Sequence, residues 1–175
     1  GASAGAVNAV HLANHTGRFI ERVEDLTHAW ESMSVDQVFR VGSFSLLSRG
    51  LRWLVQISLL GGRAHVPEAR GLVDTAPLRD FLYRALDTQD GELPGIKQNL
   101  ADGSLRAVAI STTHYGSAST VVFCQGEEVE AWERPQRHSV LRDLTVDHVM
   151  ASSALPLFFP AQEINGQWFG DGGLR

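Results

Sequence analysis

The pentapeptide Gly1-Ala2-Ser3-Ala4-Gly5 sets a serine between two glycines directly ahead of a run of helix formers. A GxSxG segment in that position describes an elbow, a tight strand-to-helix turn whose flanking glycines remove Cβ atoms that would collide with neighbouring elements. The turn lifts Ser3 into solvent at a helix N-terminus, where free N–H groups and the helix dipole favour negative charge. Ala4 N–H is one candidate donor to such a charge. Because Gly1 already lies inside the turn, the elbow's leading strand is expected upstream, and the chain is expected to be a fragment at its N-terminus and, after Gly173, at its C-terminus.

Downstream, Ala6, Val7, Val10 and Ala13 recur at helical spacing and predict a helix from Ala4 to about Asn14, stopped near Gly17. Ile20, Val23, Leu26 and Trp30 predict an amphipathic surface helix over 18–33. Residues 44–60 are leucine-rich, with Arg49, Arg52 and Trp53 interleaved. They read as a helix that is either core or a lid facing lipid. Gly61, Gly62 and Pro67 mark a loop, and Asp74-Thr75-Ala76-Pro77 opens a helix running through Leu86, with Asp74 or Thr75 as cap. A short helix over 93–100 ends near Gly103.

The texture then changes to β-branched runs at 106–113 and 120–124, which predict two strands joined through Gly116 and Ser117. Helical spacing returns between Arg142 and Ser153, with Thr145 as candidate cap and Val146, Val149 and Met150 facing inward. Asn165-Gly166 between extended residues predicts a hairpin. Helices interleaved with strands imply an α/β class with an at least partly parallel sheet.

The 175 residues suit one domain, and 43% hydrophobic with 20% charged residues allows a sizeable core. A net charge of −5 gives no global attraction to nucleic acid or to an anionic membrane surface, so no nucleic-acid partner is expected. The single cysteine, Cys124, excludes an intrachain disulfide and a cysteine-based metal cluster, and reads as a packed strand residue. No apolar run reaches the roughly 18 residues of a membrane span. Localisation is left open, with a cytoplasmic or peripheral membrane place the expectation, and oligomeric state is left open too.

A serine hydroxyl needs a base. Seven histidines are available, and a conventional triad would pair His138 or His148 with Asp102, Asp143 or Asp147, none of them in a recognisable signature. Asp171 follows the predicted hairpin and precedes Gly172 and Gly173, where backbone freedom lets a short carboxylate be presented into a site. A turn aspartate making a local hydrogen bond is the alternative there.

Four landmarks in order span the chain: GASAG with Ala6-Val7-Asn8-Ala9, then Asp74-Thr75-Ala76-Pro77-Leu78-Arg79, then Ala151-Ser152-Ser153-Ala154-Leu155-Pro156 with Phe159-Pro160, then Asp171-Gly172-Gly173. Together they resemble the patatin-like phospholipase family. The resemblance implies a three-layer α/β/α fold with a mainly parallel central sheet, here lacking its N-terminal strand and glycine-rich oxyanion loop, over a catalytic domain covering 1–175. It implies a lipid acyl hydrolase using a dyad, Ser3 as nucleophile and Asp171 as base, with Gly1, Ala2, Ala4, Gly5, Gly172 and Gly173 completing the motifs. It implies a lipid substrate, transient contact with a membrane surface, and neither metal nor cofactor. A histidine-based esterase or thioesterase and a non-catalytic lipid- or protein-binding module are the alternatives.

Overall fold

Three hairpins, one parallel pairing and one long-range antiparallel pairing build the sheet of this protein. The computed structural model describes residues 1–34, 38, 74–156 and 158–173, so the helix expected over 44–60 and the loop after it lie outside the described residues. Strand β1 (Ala107–His114) and β2 (Ser119–Gly126) pair antiparallel across a short turn through Gly116 and Ser117, as predicted. β5 (Gln162–Ile164) and β6 (Gln167–Asp171) form the second hairpin. Its two turn residues, Asn165 and Gly166, have φ of 52° and 75°, the left-handed pair that a right-twisted two-residue hairpin demands. Two short strands, β3 (Glu133–Arg134) and β4 (Arg137–Leu141), complete the order β3-β4-β2-β1-β6-β5.

This sheet is mixed, which corrects the expectation of a mainly parallel one. Only β2 and β4 are named strands paired in parallel, while the β1–β2, β1–β6, β3–β4 and β5–β6 pairs are antiparallel. Connection length accounts for three of the antiparallel pairs, since turns of a few residues fold a strand back on its neighbour whereas a parallel neighbour needs a longer crossover, and β1–β6 is a long-range pairing.

Five described helices accompany it: α1 (Ala4–Asn14), α2 (Phe19–Glu31), α3 (Ala76–Ala85), α4 (Pro94–Ala101) and α5 (Val146–Ser152). At the start of α3 the Asp74 carboxylate accepts Ala76 N–H at 2.9 Å, so Asp74 supplies the bond although Thr75 holds the cap position. Arg79 then hydrogen-bonds Asp147 and Gln162, tying α3 to α5 and to the β5–β6 hairpin.

Val108, Ile110 and Thr112 alternate along β1 onto the face where α1 and α5 lie, and all three are buried. Val108 and Ile110 join Val7 and Val10 of α1, Leu82 of α3, Ile96 of α4, Val146 and Val149 of α5, and Phe123 and Phe169 of the sheet in one apolar cluster. Full burial of a leucine or isoleucine such as Leu82 or Ile96 stabilises by about 1.5–3 kcal/mol. Cys124 is buried in β2, as expected of a packed strand residue, and burial pushes its thiol pKa up. At the far end of α1, the wholly buried Asn99 donates to the carbonyls of Ala13 and His15 and closes the helix terminus. Helix α1 is thereby held against β1 with its N-terminal turn fixed at the edge of that strand.

Candidate active site

Gly1 joins β1 by two backbone bonds: its nitrogen donates to Ala109 O at 2.7 Å, and Ser111 N donates to Gly1 O at 2.9 Å. Bonds to the residues on either side of Ile110 are the parallel pattern, so the chain enters the elbow running alongside β1. Ser3 then turns sharply, with φ 52° and ψ −127°, and α1 begins at the next residue. A serine held at positive φ is strained by about 1–3 kcal/mol, and such strain persists only where the surroundings over-determine it.

The glycines of this turn are not equivalent. A Cβ on Gly1 would stand 2.1 Å from Gly5 O, in the first turn of α1, whereas a Cβ on Gly5 would meet nothing within 4 Å among the described residues. The expected steric role therefore holds at Gly1 and is corrected at Gly5, whose outward-facing helical position leaves its side-chain space open. Ser3 N–H is directed at both the carbonyl and the hydroxyl of Ser152, each at 3.1 Å. Ala4 N–H, the first of the helix, has no hydrogen-bond acceptor among the described residues and points along the N-terminal end of α1.

Asp171 arrives on the same edge of β1. It is the last residue of β6, opposite Thr112, and it is 4% exposed. Its backbone is held on both sides: Asp171 N–H donates to Ala154 O at 2.9 Å, and the Thr113 hydroxyl donates to Asp171 O at 2.9 Å. One carboxylate oxygen accepts Gly173 N–H at 2.6 Å, the local turn bond that the sequence left as an alternative. That bond occupies one acceptor position, and a carboxylate has about four. Gly172 sits against Ser111, whose carbonyl oxygen would lie 2.0 Å from an added Cβ, so the chain can leave the strand only as glycine.

The two chain ends therefore meet on one edge of β1, Gly1 beside Ile110 and Asp171 beside Thr112. Ser152 O accepts from both, from Ser3 N–H at 3.1 Å and from Gly172 N–H at 3.4 Å. Ser152 lies in the third landmark, which the sequence reading used for its likeness and gave no role. Its signal was there: a small polar residue at a helix end, next to a proline-bounded turn, suits a buried backbone junction.

Residues of the alternative triad go elsewhere. His148 is 3% exposed, and its Nδ1 accepts Thr145 N–H at 3.1 Å, closing the start of α5. Its ring packs edge-on against Phe123 at 4.7 Å. Burial, then the Arg142 charge, lowers its pKa to about 4, so the imidazole is a neutral capping group whose acceptor nitrogen is already taken. His138 is on β4, and β2 and β1 separate it from the edge where Asp171 stands. Three inter-strand spacings, β4–β2, β2–β1 and β1–β6, put that gap at roughly 14 Å. Asp143 pairs with Lys97, Asp147 with Arg79, and Asp102 accepts Ser104 N–H in a surface turn.

Tyr115 was not singled out by sequence. Its phenol stands over Gly170, next to Asp171, and burial together with the Asp171 charge raises its pKa. Among the described residues no group of three histidine, cysteine, aspartate or glutamate side chains is arranged to hold a metal ion, and no helix is long and apolar enough to cross a membrane.

Searches of curated proteins and of solved structures returned no match. The family model for patatin-like phospholipases matches residues 1–175, the whole chain. A strained serine at the head of a helix, abutting an Asp-Gly-Gly strand end across one edge of β1, is consistent with that match. The chain belongs to the patatin-like phospholipase family, a family of lipid acyl hydrolases.

Proposed function

We propose that residues 1–175 form a catalytic domain that cleaves the ester bonds of phospholipids, lysophospholipids or related acyl glycerols through an acyl-Ser3 intermediate, with Asp171 as its base. The observation that carries this reading is the backbone of Ser3, strained at φ 52° directly before α1, while a buried aspartate ends the neighbouring strand. Asp171 takes the hydroxyl proton, directly or through substrate or water, as the Ser3 oxygen bonds to the acyl carbon. The resulting oxyanion faces the N-terminus of α1, where Ala4 N–H has no acceptor among the described residues while Ser3 N–H is engaged by Ser152. Collapse expels the alcohol with that proton, and Asp171 then activates the water that releases the fatty acid.

Substrate reaches the site by transient contact with a lipid surface. Leu155 and Phe158, just past the helix end that touches Ser3, are 42% and 58% exposed and offer apolar surface there. A fluorophosphonate probe applied to the protein as its own gene encodes it should label Ser3, with the label located by peptide mass. Labelling that persists in Ser3→Ala would sink the assignment. A triad built on His138 or His148 has no comparable support, because His148 caps a helix and two strands lie between His138 and Asp171.

A further inference from the structure

We infer that Ser152 is a positioning residue for the nucleophile: its carbonyl and hydroxyl together hold the Ser3 backbone in its strained turn and set where that turn stands against the Asp171 strand end. The inference rests on the Ser3–Asp171 reading and deepens it. Ser152 is the last residue of α5 and is wholly buried, and its carbonyl and hydroxyl oxygens are both directed at the junction of the two motifs. Ser3 N–H is shared between Ser152 O and Oγ, both at 3.1 Å. The Ser152 hydroxyl donates in turn to Ser111 O at 2.7 Å, and Ser111 N–H donates to Gly1 O at 2.9 Å. Gly172 N–H reaches the same Ser152 carbonyl at 3.4 Å.

The hydroxyl is directional for a stated reason. Donation to Ser111 O spends its only proton, so its lone pairs are left to face Ser3 N–H. The loop from Gly1 O through Ser111 to Ser152 and back to Ser3 is a circuit of partly buried hydrogen bonds, in which the bond from Ser152 Oγ to Ser111 O polarises the hydroxyl that accepts Ser3 N–H. Removing Oγ leaves Ser111 O without that donor and Ser3 N–H with the carbonyl alone. The strained turn then loses part of what over-determines it, and the nucleophile drifts from its partner while the rest of the helix stays seated on Val146, Val149 and Met150. Ser153 is the internal control. It is next in sequence and buried, yet its hydroxyl has no partner among the described residues.

The test compares Ser152→Ala, Ser152→Cys and Ser153→Ala in the protein as its gene encodes it. Readouts are the second-order rate of fluorophosphonate labelling at Ser3, kcat and KM on a p-nitrophenyl acyl ester, and melting temperature, with kinetics run well below each melt. Ser152→Ala should lower both the labelling rate and kcat by about 10- to 100-fold, the scale of a nucleophile misplaced by around an ångström. KM should stay within about twofold, because an interaction felt in the transition state rather than in substrate binding has been lost. Ser152→Cys, which keeps the volume and a weak donor, should fall between, and Ser153→Ala should match wild type. Wild-type labelling in folded Ser152→Ala, or an equal loss in Ser153→Ala, overturns the inference. Should Ser152→Ala fail to fold, the cysteine variant decides, and full wild-type kinetics there overturns it too. Wild-type protein that labels nowhere at Ser3 defeats the dyad reading itself, and this inference with it.

Discussion

The two ends of the chain reach the same edge of β1 by different physical means. At the N-terminal end the constraint is torsional: Ser3 carries a positive φ, and Gly1 leaves room for the turn of helix that follows. At the C-terminal end Asp171 is in ordinary strand geometry, and the constraint is proximity, with Gly172 pressed against the backbone of Ser111. One end stores strain and the other stores close contact. Each end also has one glycine pressed against backbone, Gly1 and Gly172, and one whose added Cβ would meet no backbone atom among the described residues, Gly5 and Gly173. The difference implies that the two ends should fail differently when altered, the first in reactivity and the second in folding.

The largest expected effect tests whether the ends act as one unit. Ser3→Ala and Asp171→Asn should each lower acyl hydrolysis by on the order of 10⁴-fold or more, and the double variant should be no worse than the poorer single, as residues that act together are strongly non-additive. Ester-hydrolysis assays of the three variants decide it, and additive losses would break the pairing.

Next in size is the scaffold between the ends. His148 has its folded pKa lowered to about 4, so the unfolded chain binds the extra proton first as pH falls. Its contribution is therefore fully present above about pH 6.5 and lost as pH falls toward about 4, by roughly 3 kcal/mol at most. His148→Gln keeps a side chain that can accept the Thr145 N–H bond and should flatten that part of the stability–pH curve in urea melts. An unchanged acid slope would mean that other groups set it.

Gly172→Ala should cost about 1–3 kcal/mol through overpacking against Ser111, seen as a lower urea midpoint, and the same change at Gly173 should cost less, since its nearest neighbour is the Asp171 carboxylate at 3.0 Å. The smallest effect has the opposite sign. Gly5→Ala removes a glycine from an open position of α1 and should stabilise by about 0.5–1 kcal/mol, whatever it does to substrate access. A destabilised Gly5→Ala would restore the symmetry of the elbow glycines.

Much of the secondary structure was legible. Apolar spacing marked α1, α3, α4 and α5 within a few residues, and Asn165-Gly166 marked a hairpin because the left-handed pair is a local property of those two residues. Spacing was less informative about what covers a face. The repeat of Ile20, Val23, Leu26 and Trp30 located α2, yet none of that helix is buried among the described residues, and Phe19 is 71% exposed. Periodicity reports which residues share a face and is silent on the partner.

For the site, the residue types were readable and their relations were not. Ser3 and Asp171 stood out because a GxSxG turn and an Asp-Gly-Gly strand end each need particular backbone chemistry, which is written locally. His148 caps α5 through a local bond to Thr145, whereas the two strands between His138 and Asp171, and the bonding of both ends by Ser152, are consequences of strand order and register. The junction at Ser152 depends on contacts between residues more than a hundred positions apart, such as Gly1 with Ala109 and Ser3 with Ser152. Local sequence determined the strained turn, the hairpin and the family, because torsional preference and motif chemistry act over a few residues. Only the tertiary structure decided that the sheet is mixed and that a serine at one end and an aspartate at the other share one edge of β1, because pairing is selected by the packing of the whole core.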